Sequence, residues 1–89
     1  MENGIIFVGK KPPMAYVLAV LTYLNSGNNS VIIKARGNTI STAVDVSQIV
    51  THRFSKDIKV SKVEIGTEEL EDKEHKKRNV SFISIEMQR

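Results

Sequence analysis

The chain of 89 residues contains no cysteine and only two prolines, three phenylalanines and two tyrosines. Without cysteine, a disulfide, a thiolate nucleophile, a cysteine-ligated zinc ion and an iron–sulfur cluster are all excluded. Small secreted domains are usually cross-linked by disulfides, so this absence favours a reducing, intracellular location. Hydrophobic residues make up 40% of the chain and charged residues 26%, which is typical of a globular protein. The length predicts a single domain over residues 1–89.

Long apolar runs are also missing. The longest nearly apolar stretch, Met14–Leu24, is far shorter than the ~20 residues that span a bilayer. The run Ile5–Val8 is too short for a signal peptide and lacks a basic lead. We therefore expect a cytoplasmic protein without a membrane partner. A domain this small buries only ~60% of its unfolded surface, so it gains stability by associating.

The charge is unevenly distributed along the chain. Thirteen Lys and Arg residues against ten Asp and Glu residues give a formal net charge of +3. Residues 1–62 hold eight bases and three acids, whereas residues 63–89 hold five bases and seven acids. A basic first part followed by a mixed-charge tail suggests a polyanionic partner such as nucleic acid.

Apolar patterning predicts the element order β-α-β-α-β-β. The predicted elements are a strand at Ile5–Val8, a helix opened by Pro12 and Pro13 and continued by Met14–Leu24, a strand at Val31–Ala35, a helix from Thr39 or Ser41 to about Phe54, and strands at Val60–Thr67 and Ser81–Met87. A βαβ start implies two parallel strands with a right-handed crossover. We therefore expect an α/β fold of two layers, with a four-stranded mixed sheet and two helices on one face.

The same periodicity predicts which side chains are buried. The first strand, a continuous apolar run, is expected to be buried. The expected helical core stripes are Met14, Val17, Leu18, Leu21 and Leu24, and then Ile40, Ala43, Val46, Val50 and Phe54. The last two strands alternate, with Ile83, Ile85 and Met87 facing inward. The nearly all-charged segment Glu68–Arg78 between them predicts a long hairpin arm with a solvated tip.

Two strand-to-helix turns carry the candidate binding residues. The first turn holds Lys10 and Lys11 after Gly9, and the second holds Arg36 and Asn38 around a glycine. Ligands of open α/β sheets bind at the carboxyl ends of strands, where helix N-termini attract anions. The sequence therefore predicts one phosphate-binding edge, although ordinary solvation of loop ends is an open alternative. The chain has neither a P-loop nor a G-x-G-x-x-G motif, so no nucleotide cofactor is expected.

The ordered series of motifs resembles the Alba family of archaeal chromatin proteins over nearly the whole chain. The motifs are Val8-Gly9-Lys10-Lys11-Pro12-Pro13-Met14, Tyr16-Val17-Leu18-Ala19, Ile33-Lys34-Ala35-Arg36-Gly37, Ile40-Ser41, Ala43-Val44-Asp45 and Arg53-Phe54. This resemblance implies a dimer that binds duplex DNA, and often RNA, without sequence preference. It also implies that the two hairpin arms of the dimer run along the minor groove while the body contacts the backbone.

The resemblance assigns roles to individual residues. It implies that Lys10 and Lys11 contact phosphates, that acetylation of Lys10 weakens binding, and that Arg36 contacts the backbone. It implies that Phe54 lies where neighbouring dimers meet on DNA, with core packing as the alternative. A lysine acetyltransferase and a deacetylase are then expected as partners, and the dimer pairs identical chains or a chain with a paralogue.

The predicted arm departs from the basic members of the family. Five acidic residues lie in its first half and turn, and its bases Lys73, Lys76, Lys77 and Arg78 cluster in the second half. A solubilising tip is the alternative to a groove-tracking arm. Asn38 stands where relatives often carry a base, so weaker binding than in those members is expected.

The sequence gives no catalytic constellation. His52 and His75 are too far from other ligands to suggest a metal site, and Asp45 is expected to be structural. We therefore expect a non-enzymatic, chromosome-associated DNA-binding protein without metal or cofactor. An RNA-binding protein or ribonucleoprotein subunit is the alternative, because phosphate contacts suit both polymers.

Overall fold

The computed structural model describes residues 4–89. Its elements are β1 (Ile5–Phe7), α1 (Pro13–Asn25), β2 (Ser30–Arg36), α2 (Ile40–Ile49), β3 (Lys59–Glu71) and β4 (Lys77–Gln88). A 3₁₀ turn at Gly37–Thr39 precedes α2, and a π-helical turn at Val50–Phe54 follows it. This order confirms the predicted β-α-β-α-β-β succession.

The strands form one mixed sheet in the order β1-β2-β4-β3. β1 and β2 run parallel, while β4 is antiparallel to both β2 and β3. α1 contacts β1 and β2, α2 contacts β2 and β4, and neither helix covers β3 to a comparable extent. The predicted mixed sheet with two helices on one face is therefore confirmed.

The core lies between the helices and the inner face of the sheet. Ile33, Ile83, Ile85 and Met87 are buried, as the alternation predicts. The opposite face, which we call the open face, carries Phe7, Lys34 and Ser84 in one cross-strand row. Phe7 is 70% exposed, so the prediction of a wholly buried first strand is wrong. Only alternate residues of a strand point to the covered face of a sheet.

The predicted core stripe of α1 is partly wrong. Met14 and Leu18 are exposed by 42% and 60%, and the buried positions are Tyr16, Val17, Val20 and Leu24. Apolar side chains occur on all sides of this helix, so periodicity alone does not distinguish its two neighbouring stripes. Contact with both the sheet and α2 determines which stripe is covered. No helix within residues 4–89 is long and apolar enough to cross a membrane.

The stripe of α2 is confirmed at Ala43, Val46 and Val50, which are fully buried. Phe54, the last predicted member, is 51% exposed. The final turn is π-helical, and the backbone N–H of Ser55 donates to the Val50 carbonyl at 2.9 Å. A wider turn rotates the last residues away from the α-helical repeat, which explains why Phe54 leaves the core.

The hairpin is longer and more regular than the sequence predicts. Pairing continues from Val63 opposite Ile85 to Glu71 opposite Lys77, so most of the charged segment is strand. The backbone N–H groups of Glu74 and Lys76 both donate to the Asp72 carboxylate at 2.9 Å, closing the turn. Cross-strand pairs stabilise a ladder even where both faces are polar, which hydrophobic alternation does not reveal.

Candidate nucleic-acid interface

The two basic turns lie at the same edge of the sheet. β1 and β2 are parallel neighbours, so the loop holding Lys10 and Lys11 and the turn holding Arg36 and Asn38 follow adjacent carboxyl ends. All four residues are exposed. We call these four residues the basic edge. Within residues 4–89, no carboxylate approaches the ammonium of Lys10 or Lys11 within 4.0 Å. Both charges are therefore available to an anion.

Tyr16 fixes the shape of the first loop. Its hydroxyl oxygen accepts the backbone N–H of Gly9 at 2.8 Å and that of Lys11 at 3.1 Å. The ring is 92% buried in the first turns of α1, so the loop is anchored to the core. Sequence reasoning missed this residue, because an aromatic in an apolar helix carries no signal that its hydroxyl faces a loop.

This anchoring changes how the first loop can hold an anion. The amides of Gly9 and Lys11 are already satisfied by Tyr16, and Pro12 and Pro13 have no N–H. The expected backbone cradle at the start of α1 is therefore largely absent. Side-chain ammonium groups, rather than backbone donors, carry the attraction at this loop.

Replacing Tyr16 by phenylalanine tests the anchor. The change leaves two N–H groups without their partner, so we expect the free energy of unfolding to fall by about 1–3 kcal/mol and affinity for polyanions to fall as the loop loosens. Urea titration measures the first effect. Tyr23→Phe is the matched control, because no hydrogen bond from the Tyr23 hydroxyl occurs within residues 4–89. Equal losses in both variants would contradict the anchor.

The second turn is closed by Thr39 and Gly37. The Thr39 hydroxyl donates to the Arg36 carbonyl at 2.7 Å and accepts the Arg36 N–H at 3.3 Å. Gly37 adopts φ 55°, a left-handed conformation that glycine takes without strain. A Cβ at this position would lie 3.7 Å from Cγ1 of Val80, so the turn packs against the base of the hairpin. Body and arm therefore form one continuous surface.

Arg36 forms an ion pair that sequence reasoning did not predict. Its Nε lies 3.0 Å from Oε2 of Glu68 on β3. The pair is exposed, so it contributes little to stability. It does occupy the guanidinium that a phosphate would otherwise contact.

The bases of the arm fall into two groups. Lys77 lies 3.4 Å from the Glu69 carboxylate and Lys76 lies 3.7 Å from that of Glu74. Within residues 4–89, no carboxylate lies within 4.0 Å of the side-chain nitrogens of Lys73 or Arg78. Lys73 and Arg78 are therefore the arm cations that the fold leaves uncompensated.

The histidines lie apart from the basic edge. His75 is in the arm turn with Nδ1 2.7 Å from the Glu71 carboxylate, and His52 is exposed in the turn after α2. Within the described part of the chain, no group of three or more metal-ligating side chains comes together. Neither histidine therefore belongs to the basic edge.

Comparisons with known proteins agree with this geometry. The Alba family model matches residues 4–67. A protein of Methanocella arvoryzae named DNA/RNA-binding protein Alba is 49% identical over 88 residues, covering 99% of this chain and 92% of that protein. The protein of the same name from Thermoplasma acidophilum is 52% identical over 88 residues, covering 99% and 98%.

Structural comparison gives the same result. The solved structure of Alba from Thermoplasma volcanium superimposes with a TM-score of 0.89 and 52% sequence identity. The match covers 96% of this chain and 99% of that one. With a family model over most of its length and relatives about half identical end to end, the chain belongs to the Alba family.

Proposed function

We propose that the protein binds duplex DNA without sequence preference as a dimer, coating and compacting the chromosome in the cytoplasm. The observation that carries this proposal is the basic edge, where the loop of Lys10 and Lys11 and the turn of Arg36 follow adjacent strand ends near the base of the arm. The relatives are named DNA/RNA-binding protein Alba, which supports a nucleic acid as the partner. The role requires no catalytic group, metal or cofactor.

Binding is driven by release of counterions from the DNA backbone. Each basic side chain that replaces a condensed cation adds about −0.9 to the slope of log affinity against log salt. Lys10, Lys11 and Arg36 from both subunits make about six contacts, so the basic edge alone contributes roughly −5 to the slope. Backbone contacts carry little sequence information, which agrees with binding without sequence preference.

On the helix side of the sheet, β3 exposes apolar side chains, and this exposure supports the dimer. Val60, Val63 and Ile65 pair with Met87, Ile85 and Ile83 in the core, yet they are 36%, 53% and 78% exposed. This apolar row continues the core to the edge of the sheet, where neither helix of residues 4–89 covers it as it covers β2. A second copy of the chain, presenting the same row, buries it. Two-fold pairing places both arms on one duplex.

The arm and Phe54 extend the contact with DNA. Lys73 and Arg78, together with Lys76 and Lys77, track the minor groove from a hairpin long enough to project from the body. Phe54, half exposed at the end of the π-helical turn, joins neighbouring dimers along the duplex. Such contacts make coating cooperative.

Lys10 is the proposed acetylation site. Its side chain is exposed and lacks a carboxylate partner within residues 4–89, so an acetyltransferase has access to it and a deacetylase restores it. Acetylation removes one positive charge per subunit from the basic edge. Binding then weakens and its salt dependence becomes shallower.

RNA is the alternative partner, and the relatives' name, DNA/RNA-binding protein Alba, supports it. Duplex RNA presents the same phosphate charge, so the basic edge does not discriminate between the two polymers. A competition titration between duplex DNA and structured RNA of equal length at fixed salt shows which of the two is the principal partner. Displacement of DNA by a much lower RNA concentration would make RNA the principal partner.

Glu68 is expected to restrain DNA binding by holding Arg36. Changing Glu68 to glutamine frees the guanidinium in both subunits, so affinity for duplex DNA should rise about threefold to tenfold. Fluorescence anisotropy at low salt measures this change. Glu86→Gln removes the same charge from the same face of the sheet but away from Arg36. A comparable gain in both variants would show that general charge, not release of Arg36, is responsible.

A further inference from the structure

The open face of the sheet carries two aromatic rings that the proposed duplex contacts do not use. Phe7 on β1 is 70% exposed, and Phe82 lies half-buried on β4. The ring of Phe82 extends across the neighbouring strand over Gly66, where an added Cβ would lie 2.7 Å from Cε2. The absence of a side chain at position 66 therefore lets this ring occupy the sheet surface.

A groove lies between the two rings. It has a volume of about 800 Å³, and its lining includes Phe7, Phe82, Lys34 and Arg36 together with the acids Glu64 and Glu68. This size falls within the range of small-molecule and nucleobase sites. Its apolar floor and cationic side chains suit a ligand that has both flat rings and negative charge.

Register places a cation beside each ring. Lys34 pairs with Phe7, and Arg36 pairs with Phe82. Within residues 4–89, no carboxylate lies within 4.0 Å of the Lys34 ammonium. Lys34 is therefore the uncompensated cation on the β2 side of the open face within these residues, since Arg36 is paired with Glu68.

The carboxylates of the open face, two of which line the groove, each have a partner. Glu64 lies 3.0 Å from the Lys62 ammonium and raises the pKa of Lys62 by hydrogen bonding. Glu68 holds Arg36, and Glu86, the third acid, accepts the Ser61 hydroxyl at 3.3 Å. The two acids that line the groove are thus each paired with another cation, and Lys34 remains without a carboxylate partner within residues 4–89.

We propose that the open face binds unpaired bases of single-stranded nucleic acid, with Phe7 and Phe82 stacking on two bases and Lys34 neutralising a phosphate between them. The spacing between strands and the rise per residue place the Cα atoms of Phe7 and Phe82 roughly 12 Å apart. Consecutive bases of a duplex strand are only ~3.4 Å apart and are enclosed by pairing. The rings therefore accept splayed bases, as aromatic side chains on open sheets do in other single-strand binders.

This site is distinct from the basic edge, although the two are continuous through Arg36. A nucleic acid that is partly unpaired places its duplex on the basic edge and its single strand on the open face. The proposal therefore goes beyond duplex binding and predicts preference for junctions between paired and unpaired regions.

Phe7→Ala provides the test, with an unstructured, fluorescein-labelled oligouridylate and a duplex DNA of equal length as probes. Loss of one stacking contact should weaken oligouridylate binding about tenfold to a hundredfold. Duplex binding should change less than about twofold, since the ring lies outside the basic edge. Phe7→Tyr, which keeps a stacking ring, should restore binding. Leu18→Ala, which removes another exposed apolar side chain from the opposite side, should change neither affinity.

Phe82→Ala serves as the second variant, with thermal unfolding measured first because this ring is half-buried. Wild-type failure to bind oligouridylate at low salt would overturn the open-face site. So would unchanged binding by Phe7→Ala, or equal losses for oligouridylate and duplex. Substitution of Lys10 and Lys11 tests the basic edge separately, because it should abolish binding to duplex DNA. Failure of the open-face proposal is therefore distinguishable from failure of the duplex-binding proposal.

Discussion

Replacing Lys10 and Lys11 together by glutamine is expected to weaken binding to duplex DNA roughly a thousandfold at 0.1 M salt. The two ammonium groups are exposed and have no carboxylate within 4.0 Å in residues 4–89. The proposed dimer therefore loses about four phosphate contacts, and the salt slope should become shallower by roughly 3.6. Anisotropy titrations at several salt concentrations measure both quantities.

The matched control is the double change of Lys56 and Lys59 to glutamine. Both side chains are exposed, and the same number of charges is removed. Lys59 pairs with Gln88, which also pairs with Ser30 at the start of β2. Lys59 therefore lies at the opposite end of the strands from Arg36 and the basic edge. Because salt screens charges that lie far from the bound DNA, the loss of Lys56 and Lys59 should lower the affinity only a few-fold. Similar losses in the two double variants would show that total charge, rather than position, determines binding.

Changing Val63 and Ile65 to aspartate is expected to convert the dimer into monomers. The two side chains continue the core row onto β3, which neither helix of residues 4–89 covers as it covers β2, and they form the proposed contact with the second copy. Burial of unpaired carboxylates at that contact costs several kcal/mol, so the dimer dissociation constant should rise more than about a thousandfold. Sedimentation equilibrium reports the change directly.

Leu18→Asp is the control for the dimer surface. Leu18 is 60% exposed and equally aliphatic, but it lies on α1, which covers the β1–β2 half of the sheet. This variant should remain dimeric. A stable dimer in the Val63 and Ile65 double variant, or dissociation by Leu18→Asp, would place the interface elsewhere.

Element order and sheet type were predictable because strong local signals agree with the global fold. The β-branched runs at Ile5–Val8 and Val31–Ala35 form parallel neighbours, and Pro13 begins α1. The turns that hold Lys10 and Arg36 follow from this connectivity. Topology alone therefore brings the basic edge together.

Local patterns could not predict contacts that depend on tertiary packing. In α1, apolar residues surround the helix, so the exposure of Leu18 depends on where α2 and the sheet lie. The Tyr16 hydroxyl reaches a loop five and seven residues away, and Arg36 meets Glu68 across strands far apart in sequence. The outward orientation of Phe7 follows from a sheet that is covered on one face only.

The salt dependence of duplex DNA affinity tests the central claim most directly. Six side chains, three from each subunit, are proposed to replace counterions at the basic edge, which predicts a log–log slope of roughly −5 or steeper that is the same for unrelated duplex sequences. A slope shallower than about −2, or affinities that depend strongly on sequence, would contradict phosphate binding by Lys10, Lys11 and Arg36.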